Sequence, residues 1–326
     1  MHLSPGRHRW GTDFWFDADG PMIWLLVIAL FVGVPFLIEW LRPLKGDKER
    51  AQAPGNLLPL SRGLTHVRWS GPPSGPIIVC VHGLTTPSFV WGAIAEGLVQ
   101  AGYRVLRYDL YGRGFSEKPA GNQDRDFFIT QLNEVLEEVG IEEPVSFMGY
   151  SMGGSIVTAF AAVHPEKVKR LILLAPAGLG ISEAWLPRKL STIPFVGEWF
   201  AFGLGTWLFR RSLADEENLV SAVPNIGHRI ADETKFRGYA SAVLSSQRGL
   251  LREDLFEDHL EIAVEGVPVL GIWGEKDAVI PLSGMGRLAQ ANREVEQVMI
   301  RAAGHGLAYM HPREVLEAIR SFLGRS

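Results

Sequence analysis

A serine lies at the centre of a G-x-S-x-G motif that spans 149–153, with Ser151 between the two glycines. The apolar run 145–150 before it favours a buried strand, and the residues from Ser155 to about Ala162 favour a helix. A serine on such a strand-to-helix turn has strained backbone angles, and its hydroxyl stands at a helix N-terminus that stabilises negative charge. The chemistry that suits this position is nucleophilic attack. A turn whose glycines serve packing alone is the alternative, and a base, an acid and an oxyanion donor elsewhere would distinguish the two.

The elements that must position this serine form an alternating pattern. Apolar runs predict strands at 64–69, 77–81, 103–108, 145–150, 168–174, 267–273 and 295–300, and helical segments fall near 90–101, 127–139, 282–291 and 312–322. Short strands separated by helices are typical of an α/β fold whose mostly parallel central sheet is covered by helices on both faces.

The alternation lapses between 177 and 265, where aromatic residues, prolines and glycines predict a cap of short helices inserted over the carboxyl edge of the sheet. The predicted organisation is an N-terminal segment at 1–20, a transmembrane helix at 21–42, a linker at 43–62 and a catalytic domain at 63–326 that contains the cap.

The transmembrane prediction rests on 18 consecutive uncharged residues from Pro21 to Ile38, twelve of them Leu, Ile, Val or Phe. Such a helix is about 27 Å long, close to the hydrocarbon thickness of a bilayer. A buried core helix is one alternative, and a cleaved signal peptide is less consistent because no small-residue cleavage pattern follows directly. Basic residues are more numerous after the span than before it, which favours a cytoplasmic catalytic domain.

Composition narrows the partners. The net charge of −4 and pI near 6.2 provide no basic field, so we expect no nucleic acid partner. Cys80 is the only cysteine, which excludes an intramolecular disulfide and a cysteine-based metal site. No H-E-x-x-H or Cys/His spacing appears, so we expect no metal and no cofactor. The oligomeric state and the residues that bind substrate are not predicted.

Four further stretches accompany the serine motif in chain order: His82-Gly83-Leu84, the run 109–116, the run 274–281 and Ala303-Gly304-His305-Gly306. Together these stretches resemble the α/β-hydrolase superfamily over about 57–323, and within it the membrane-anchored monoacylglycerol lipases and carboxylesterases. The resemblance implies a Ser…Asp…His triad in that chain order. Ser151 would be the nucleophile, His305 the general base and Asp277 the acid that orients the imidazole.

Two other residues are rivals for these roles. Asp109 is the main alternative to Asp277, and the resemblance implies that it organises the turn at 109–116. His82 is implied to shape the oxyanion loop rather than act as a base. The oxyanion hole would consist of the backbone N–H groups of Leu84 and Met152.

The resemblance leaves several reactions open. The expected activity is hydrolysis of carboxylic esters, lipid-like ones such as monoacylglycerols or medium-chain acyl esters, because of the anchor and the aromatic cap. A thioesterase, a peroxidase-like enzyme and a carbon–carbon hydrolase of ring-cleavage products, all on the same triad, are alternatives. A non-enzymatic ligand receptor on the same fold is the remaining one.

Overall fold

The central sheet has eight strands among the residues that the structure, a computed structural model, describes: 19–180, 191–216 and 221–324. The strands are β1 (Asn56–Leu60), β2 (Gly63–Ser70), β3 (Ile77–Val81), β4 (Arg104–Tyr108), β5 (Val145–Tyr150), β6 (Val168–Leu174), β7 (Val269–Gly274) and β8 (Glu296–Ile300). Their order is β1-β2-β4-β3-β5-β6-β7-β8. The β1–β2 and β2–β4 pairs are antiparallel and every other pair is parallel, which confirms the predicted mostly parallel sheet.

Helices cover both faces of this sheet. The helices before the cap are α1 (Asp19–Leu41), α2 (Asp47–Arg50), α3 (Gly92–Gln100), α4 (Arg125–Glu138) and α5 (Met152–Val163). Those of the segment between β6 and β7 are α6 (Val196–Phe200), α7 (Thr206–Glu216), α8 (Ile226–Glu233), α9 (Tyr239–Arg248) and α10 (Phe256–Val264). The remaining helices are α11 (Ser283–Ala291), α12 (Leu307–Met310) and α13 (Pro312–Leu323). Helices α3 and α13 pack together on one face, and α4, α5, α10 and α11 form the layer on the other.

Strands β5 and β7 contain no charged residue, as expected of strands whose two faces are both covered. All six residues of β5 and all six of β7 are buried. Cys80 of β3 is a free thiol with no exposed surface. This continuous apolar core fixes the carboxyl ends of the parallel strands at one edge of the sheet.

Two predicted boundaries differ from the structure. Residues 56–60, which were expected to belong to a linker, form β1 at the edge of the sheet. Pro59 makes this segment resemble a linker in the sequence, but a proline is tolerated in a strand that pairs on one side only. The last helix of the predicted cap segment, α10, packs on α5 and α11 and therefore belongs to the layer that covers the sheet.

Helix α1 is long and apolar enough to cross a membrane: its 20 residues from Met22 to Leu41 extend about 30 Å. Only Pro35 and Glu39 within that range are buried, so α1 is not a core helix. A secretory signal sequence has the same length and composition, so α1 is a candidate span on these grounds alone. Residues 1–18 of the predicted N-terminal segment lie outside the described residues. Residues 181–190 and 217–220 of the predicted cap also lie outside them.

Candidate active site

The carboxyl edge of the sheet brings together the five residues singled out by the sequence. Ser151 follows β5, Leu84 lies just beyond β3, and Asp277 and His305 follow β7 and β8. Met152 begins α5 directly after the serine. Because parallel strands all end at this edge, residues up to about 220 positions apart in the chain become neighbours.

Ser151 occupies a strained turn between β5 and α5. Its φ of 54° and ψ of −118° lie in a region that side chains rarely adopt. The turn requires glycine on either side: a Cβ on Gly149 would lie 2.4 Å from the carbonyl of Gly153, and one on Gly153 would lie 2.1 Å from the carbonyl of Val81. Helix α5 therefore lies too close to β5 for a side chain at position 149 and too close to the end of β3 for one at position 153.

The imidazole of His305 joins the serine to a carboxylate. Its Nε2 lies 3.0 Å from Ser151 Oγ and its Nδ1 lies 2.8 Å from Asp277 Oδ2. Asp277 is fixed in turn, because its other oxygen accepts hydrogen bonds of 2.8 Å from the backbone N–H groups of Val279 and Ile280. The carboxylate can only accept from Nδ1, so the proton of neutral imidazole resides there and Nε2 is free to accept the proton of the serine hydroxyl.

The backbone of the histidine loop is held by Tyr150, a residue that the sequence analysis did not single out. Its hydroxyl donates a 2.7 Å hydrogen bond to the carbonyl of His305, and the two rings lie 5.4 Å apart. The position directly before the nucleophile was a signal that could have found it. Tyr150 thus ties the loop after β8 to the end of β5.

The two predicted oxyanion donors are available to form hydrogen bonds with a substrate. Among the described residues, neither the N–H of Leu84 nor that of Met152 has a hydrogen-bond acceptor. Gly83 lies against the nucleophile, since a Cβ placed on it would be 3.2 Å from Ser151 Cβ. The loop after β3 and the start of α5 therefore flank the serine, and both can present an N–H to it.

His82 sets the orientation of the Gly83–Leu84 peptide. Its Nε2 accepts the N–H of Leu110 at 2.9 Å, so the ring proton is on Nδ1, which donates to the carbonyl of Gly83 at 2.8 Å. Complete burial lowers the pKa of His82 to about 4 against the opposing effect of Asp109, and the ring is neutral at pH 7. The two ends of a trans peptide point in opposite directions, so drawing the Gly83 carbonyl towards His82 turns the Leu84 N–H away from it.

Arg113 connects the same loop to the cap. Its buried guanidinium donates to the carbonyl of Leu84 at 3.1 Å and, on α9, to the carbonyl of Ala242 at 3.2 Å and Ser246 Oγ at 2.8 Å. Burial lowers its pKa to about 10, which still leaves it charged at pH 7. Arg113 therefore links α9 to the Leu84–Thr85 peptide, directly after the predicted oxyanion donor.

The rival residues occupy other environments. Asp109 receives hydrogen bonds from the N–H groups of Ser88 and Phe115 and from His66 Nδ1, so it organises the turn after β4 and does not contact His305. Four other histidines of the described residues lie elsewhere in the fold: His164 follows α5, His228 lies on α8, His259 is buried in α10 and His311 precedes α13.

A largely apolar cavity of about 320 Å³ adjoins the oxyanion loop. Leu84 and Thr85 line it on the side of the loop. Phe200, Leu208, Phe209 and Val243 line it on the side of the cap. This volume lies at the lower end of the range of small-molecule sites. The sequence analysis left the substrate residues unassigned, and the aromatic cap was the signal that pointed to them.

Comparison with known proteins agrees with this architecture. A family profile described as the alpha/beta hydrolase fold matches residues 76–312. The 2-hydroxy-6-oxo-6-(2'-aminophenyl)hexa-2,4-dienoic acid hydrolase of Metapseudomonas resinovorans is 25% identical over 282 residues, which cover 82% of this chain and 90% of that protein. The pimeloyl-[acyl-carrier protein] methyl ester esterase of Aeromonas salmonicida is 26% identical over 262 residues, covering 77% of this chain and 96% of that one.

Among solved structures, the enol-lactonase of Burkholderia xenovorans superposes with a TM-score of 0.70 at 23% identity. The match covers 83% of this chain and all of that one. At this identity the superposition reports the fold alone. The family profile covers well over half of the sequence, and the chain belongs to the α/β-hydrolase family.

Proposed function

We propose that this protein is a membrane-anchored serine hydrolase that cleaves carboxylic esters of lipid-like substrates, monoacylglycerols or medium-chain acyl esters. Ser151, His305 and Asp277 act as nucleophile, general base and orienting acid, and the reaction passes through an acyl-enzyme. The observation that carries the proposal is the continuous hydrogen-bonded row from Ser151 Oγ through His305 to Asp277, with separations of 3.0 and 2.8 Å.

In the acylation step, Ser151 Oγ forms a bond to the ester carbonyl carbon while its proton passes to His305 Nε2. The carbonyl oxygen becomes an oxyanion, and the N–H groups of Leu84 and Met152 donate to it. The carbon–oxygen bond to the alcohol then breaks, and His305 returns the proton to that leaving group. Asp277 stabilises the imidazolium throughout by accepting from Nδ1.

In the deacylation step, water attacks the acyl carbon and gives its proton to His305 Nε2. The bond to Ser151 Oγ breaks, the serine recovers the proton from His305, and the carboxylic acid leaves. No group beyond these residues and water is required for the proton balance.

The cap cavity supports an acyl substrate. Its wall is mostly carbon, and an extended chain placed there would have its carbonyl near the oxyanion loop through Leu84. Helix α1 supports a membrane location, and the exposed positions along it are apolar from Met22 to Ile38. Placement of the catalytic domain on the cytoplasmic side remains the prediction of the positive-inside rule, to be tested by accessibility of an introduced cysteine in intact cells.

A second candidate reaction is favoured by one observation. A hydrolase of a 6-oxo-hexa-2,4-dienoic acid is among the relatives, and the same row of residues suits hydrolysis of a carbon–carbon bond beside a ketone. A thioesterase and a non-enzymatic receptor stay as outcomes of the same test.

The test is a substrate panel run on the wild-type protein, Ser151→Ala and a matched control, Ser155→Ala. Ser155 lies one turn into α5, fully buried, and its hydroxyl has no hydrogen-bond partner among the described residues, so its removal leaves the site intact. We expect monoacylglycerol hydrolysis and fluorophosphonate labelling in the wild type and in Ser155→Ala. Ser151→Ala should lose labelling and on the order of 10⁶ in turnover.

Turnover of a dienone or an acyl-thioester without turnover of esters would replace the ester proposal with one of the alternatives. Saturable binding of a ligand that is never converted, by a folded wild type that does not label, would favour the receptor.

A further inference from the structure

A proline inside α1 leaves one backbone carbonyl of the helix without its usual donor. Pro35 has no N–H, so the carbonyl of Phe31, four residues earlier, cannot form the helical hydrogen bond. The indole Nε1 of Trp199, in α6, donates to this carbonyl at 2.8 Å instead. An unsatisfied carbonyl is especially costly in hydrocarbon, and the donor from the cap removes this cost, so the contact is compatible with a position inside the membrane.

Ring contacts extend this docking along α1. Phe31 and Trp199 have ring centroids 4.8 Å apart, and Phe36 and Phe202 meet edge to face at 5.7 Å. Gly203 also lies close to α1, since a Cβ on it would be in ordinary van der Waals contact with the ring of Pro35 at 3.4 Å. The cap residues belong to α6 and to the π-helical turn Ala201–Gly205.

Polar contacts begin where α1 ends. Glu39 accepts the backbone N–H of Gly238 at 2.6 Å, and Arg42 donates to the carbonyl of Phe202 at 3.2 Å. Lys45 pairs with Glu233 at 2.8 Å. These charged groups mark the level at which the chain leaves an apolar environment, and they hold α1 in one position on the cap.

The position of this contact along α1 determines how deeply the cap would enter a bilayer that α1 crosses. Phe31 lies ten residues before Leu41, which corresponds to about 15 Å along the helix axis. The part of α1 before this contact, Met22–Leu30, is exposed with respect to the described residues and is about 14 Å long, so it spans only half of a hydrocarbon layer of about 30 Å. Helix α1 can therefore cross a bilayer in this arrangement only when the cap enters the membrane beside it.

The cap segment that contacts α1 also carries exposed apolar side chains. They include Phe195, 79% exposed, and Trp207, 53% exposed. The others in this segment are Ile193, Val196, Leu204 and Leu208. We call these six residues the cap patch. Leu208 also lines the cavity beside the oxyanion loop, so the patch and the cavity share a wall.

We propose that the cap patch is embedded in the same leaflet as the C-terminal half of α1, to about the depth of Phe31, and that an acyl chain enters the cavity from that leaflet. The route of the substrate rests on the proposed hydrolytic activity, whereas the embedding rests only on the proposed membrane anchor. The occupant is lipid because the patch belongs to the segment whose Trp199 and Phe202 pack against α1, and the exposed apolar residues of α1 are numerous enough to span a bilayer.

The experiment measures the depth of single labels in the full-length protein reconstituted in phosphatidylcholine vesicles. Burial raises the pKa of the Cys80 thiol to about 12, so a maleimide fluorophore reacts with an introduced surface cysteine alone. Phe195→Cys and Trp207→Cys report on the patch. Val163→Cys and Val264→Cys are matched controls, since both are exposed valines at the ends of α5 and α10, at the opposite edge of the sheet.

We expect nitroxides on the lipid acyl chains to quench the labels at 195 and 207 at least fivefold more than those at 163 and 264. Equal quenching at all four sites would overturn the proposal. So would patch labels that are shielded equally in lipid and in detergent and that crosslink between two copies of the chain, because the occupant would then be a second copy.

A second experiment measures enzymatic activity and distinguishes failure of the membrane proposal from failure of the proposed function. In the double variant Phe195→Glu with Trp207→Glu, the ratio of turnover of vesicle-embedded monoacylglycerol to turnover of a water-soluble aryl ester should fall tenfold or more. Val264→Glu should leave this ratio unchanged, and an unchanged ratio in the double variant would overturn entry from the leaflet. If the wild type hydrolyses no ester at all, the proposed function fails while the quenching result still decides the embedding.

Discussion

Two histidine–aspartate pairs in this molecule have nearly the same geometry and different surroundings. His305 Nδ1 lies 2.8 Å from Asp277 Oδ2, and His66 Nδ1 lies 2.7 Å from Asp109 Oδ2. The second nitrogen makes the difference. In His305 it faces the hydroxyl of Ser151, whereas in His66 it faces the backbone carbonyl of Pro54 at 2.9 Å.

The second partner decides what each imidazole can do. A carbonyl only accepts, so both nitrogens of His66 must carry protons, and the ring is held as an imidazolium beside a buried carboxylate. A hydroxyl can donate, so His305 keeps a vacant Nε2 that can take up a proton. Exposure follows the same division, because the His66 side chain is 3% exposed and that of His305 is 25% exposed. The surroundings of His66 favour a held charge, whereas those of His305 suit the proton exchange that we propose.

The largest effect is expected from Asp277→Asn, which changes the acid of the pair that contains His305. The amide keeps one oxygen for the N–H groups of Val279 and Ile280, but it offers His305 a donor and favours the wrong tautomer. We expect kcat to fall by about 10⁴, as measured on a soluble aryl ester, with the denaturation midpoint little changed. A loss of less than tenfold would remove Asp277 from the triad and reopen the position of the acid.

The matching change in the other pair, Asp109→Asn, should act on stability. It removes the carboxylate that stabilises the buried His66 imidazolium, and breaking a buried charge pair costs about 3–5 kcal/mol in the free energy of unfolding. Urea denaturation measures this loss. The fraction that stays folded should retain a kcat within about tenfold of the wild type, and a 10⁴-fold loss without unfolding would contradict the division of roles.

A third histidine, His82, extends the comparison, because it contacts neither a carboxylate nor a serine and instead orients the Gly83–Leu84 peptide. In His82→Gln the hydrogen bond that turns the Gly83–Leu84 peptide is lost or displaced. We expect kcat to fall by up to about 10², the effect of losing one oxyanion donor, with KM for a soluble ester little changed. His311→Gln, at a helix end, is the control that should leave both constants unchanged.

His259 is a buried histidine with no partner among the described residues, and it should act through pH alone. Burial lowers its pKa to about 4, so the unfolded chain binds a proton between pH 6.5 and 4 that the folded chain does not. Stability therefore falls with decreasing pH in this window, by up to about 1.4 kcal/mol per pH unit for one such group. In His259→Leu the slope of the urea midpoint against pH should be shallower, and an identical slope would show that the ring is not buried as a neutral group.

The pH dependence of stability that arises from His66 is expected to be the smallest of these effects, and it is opposite in sign to that from His259. Burial acts to lower the pKa of His66, but the carboxylate of Asp109 outweighs it and raises that pKa above the ordinary 6.5. The stabilisation is fully present below pH 6.5 and is lost as the pH rises through the raised value. The difference in urea midpoint between wild type and His66→Gln should narrow from pH 6 to pH 9, and a difference that widens over this range would contradict the assignment.

Sequence reasoning succeeded where local pattern and chain order carry the information. The strands of the sheet are short apolar runs, and the glycines around Ser151 are required by contacts of 2.4 Å or less that any Cβ would make. It failed at β1, where Pro59 resembles a linker residue until the pairing of an edge strand is known. It also placed α10 with the cap, since a helix that covers a sheet and a helix of a cap have similar amphipathic patterns.

The contacts of α1 are the clearest case of information that a linear pattern lacks. The apolar run and Pro35 are visible in the sequence, but nothing in the order of residues connects the freed carbonyl of Phe31 to an indole 168 positions later. The same holds for His66 and Asp109, whose pairing depends on β2 lying antiparallel beside β4.

By itself the sequence determined the alternation of strands and helices, the strained serine turn and the residue types available for proton transfer, because these depend on neighbours within a few positions. The tertiary structure alone decided which histidine meets which acid, what faces the second ring nitrogen, and where the cap meets the apolar helix. Those outcomes depend on strand order and on packing across the sheet edge, where distances of about 3 Å join residues far apart in the chain.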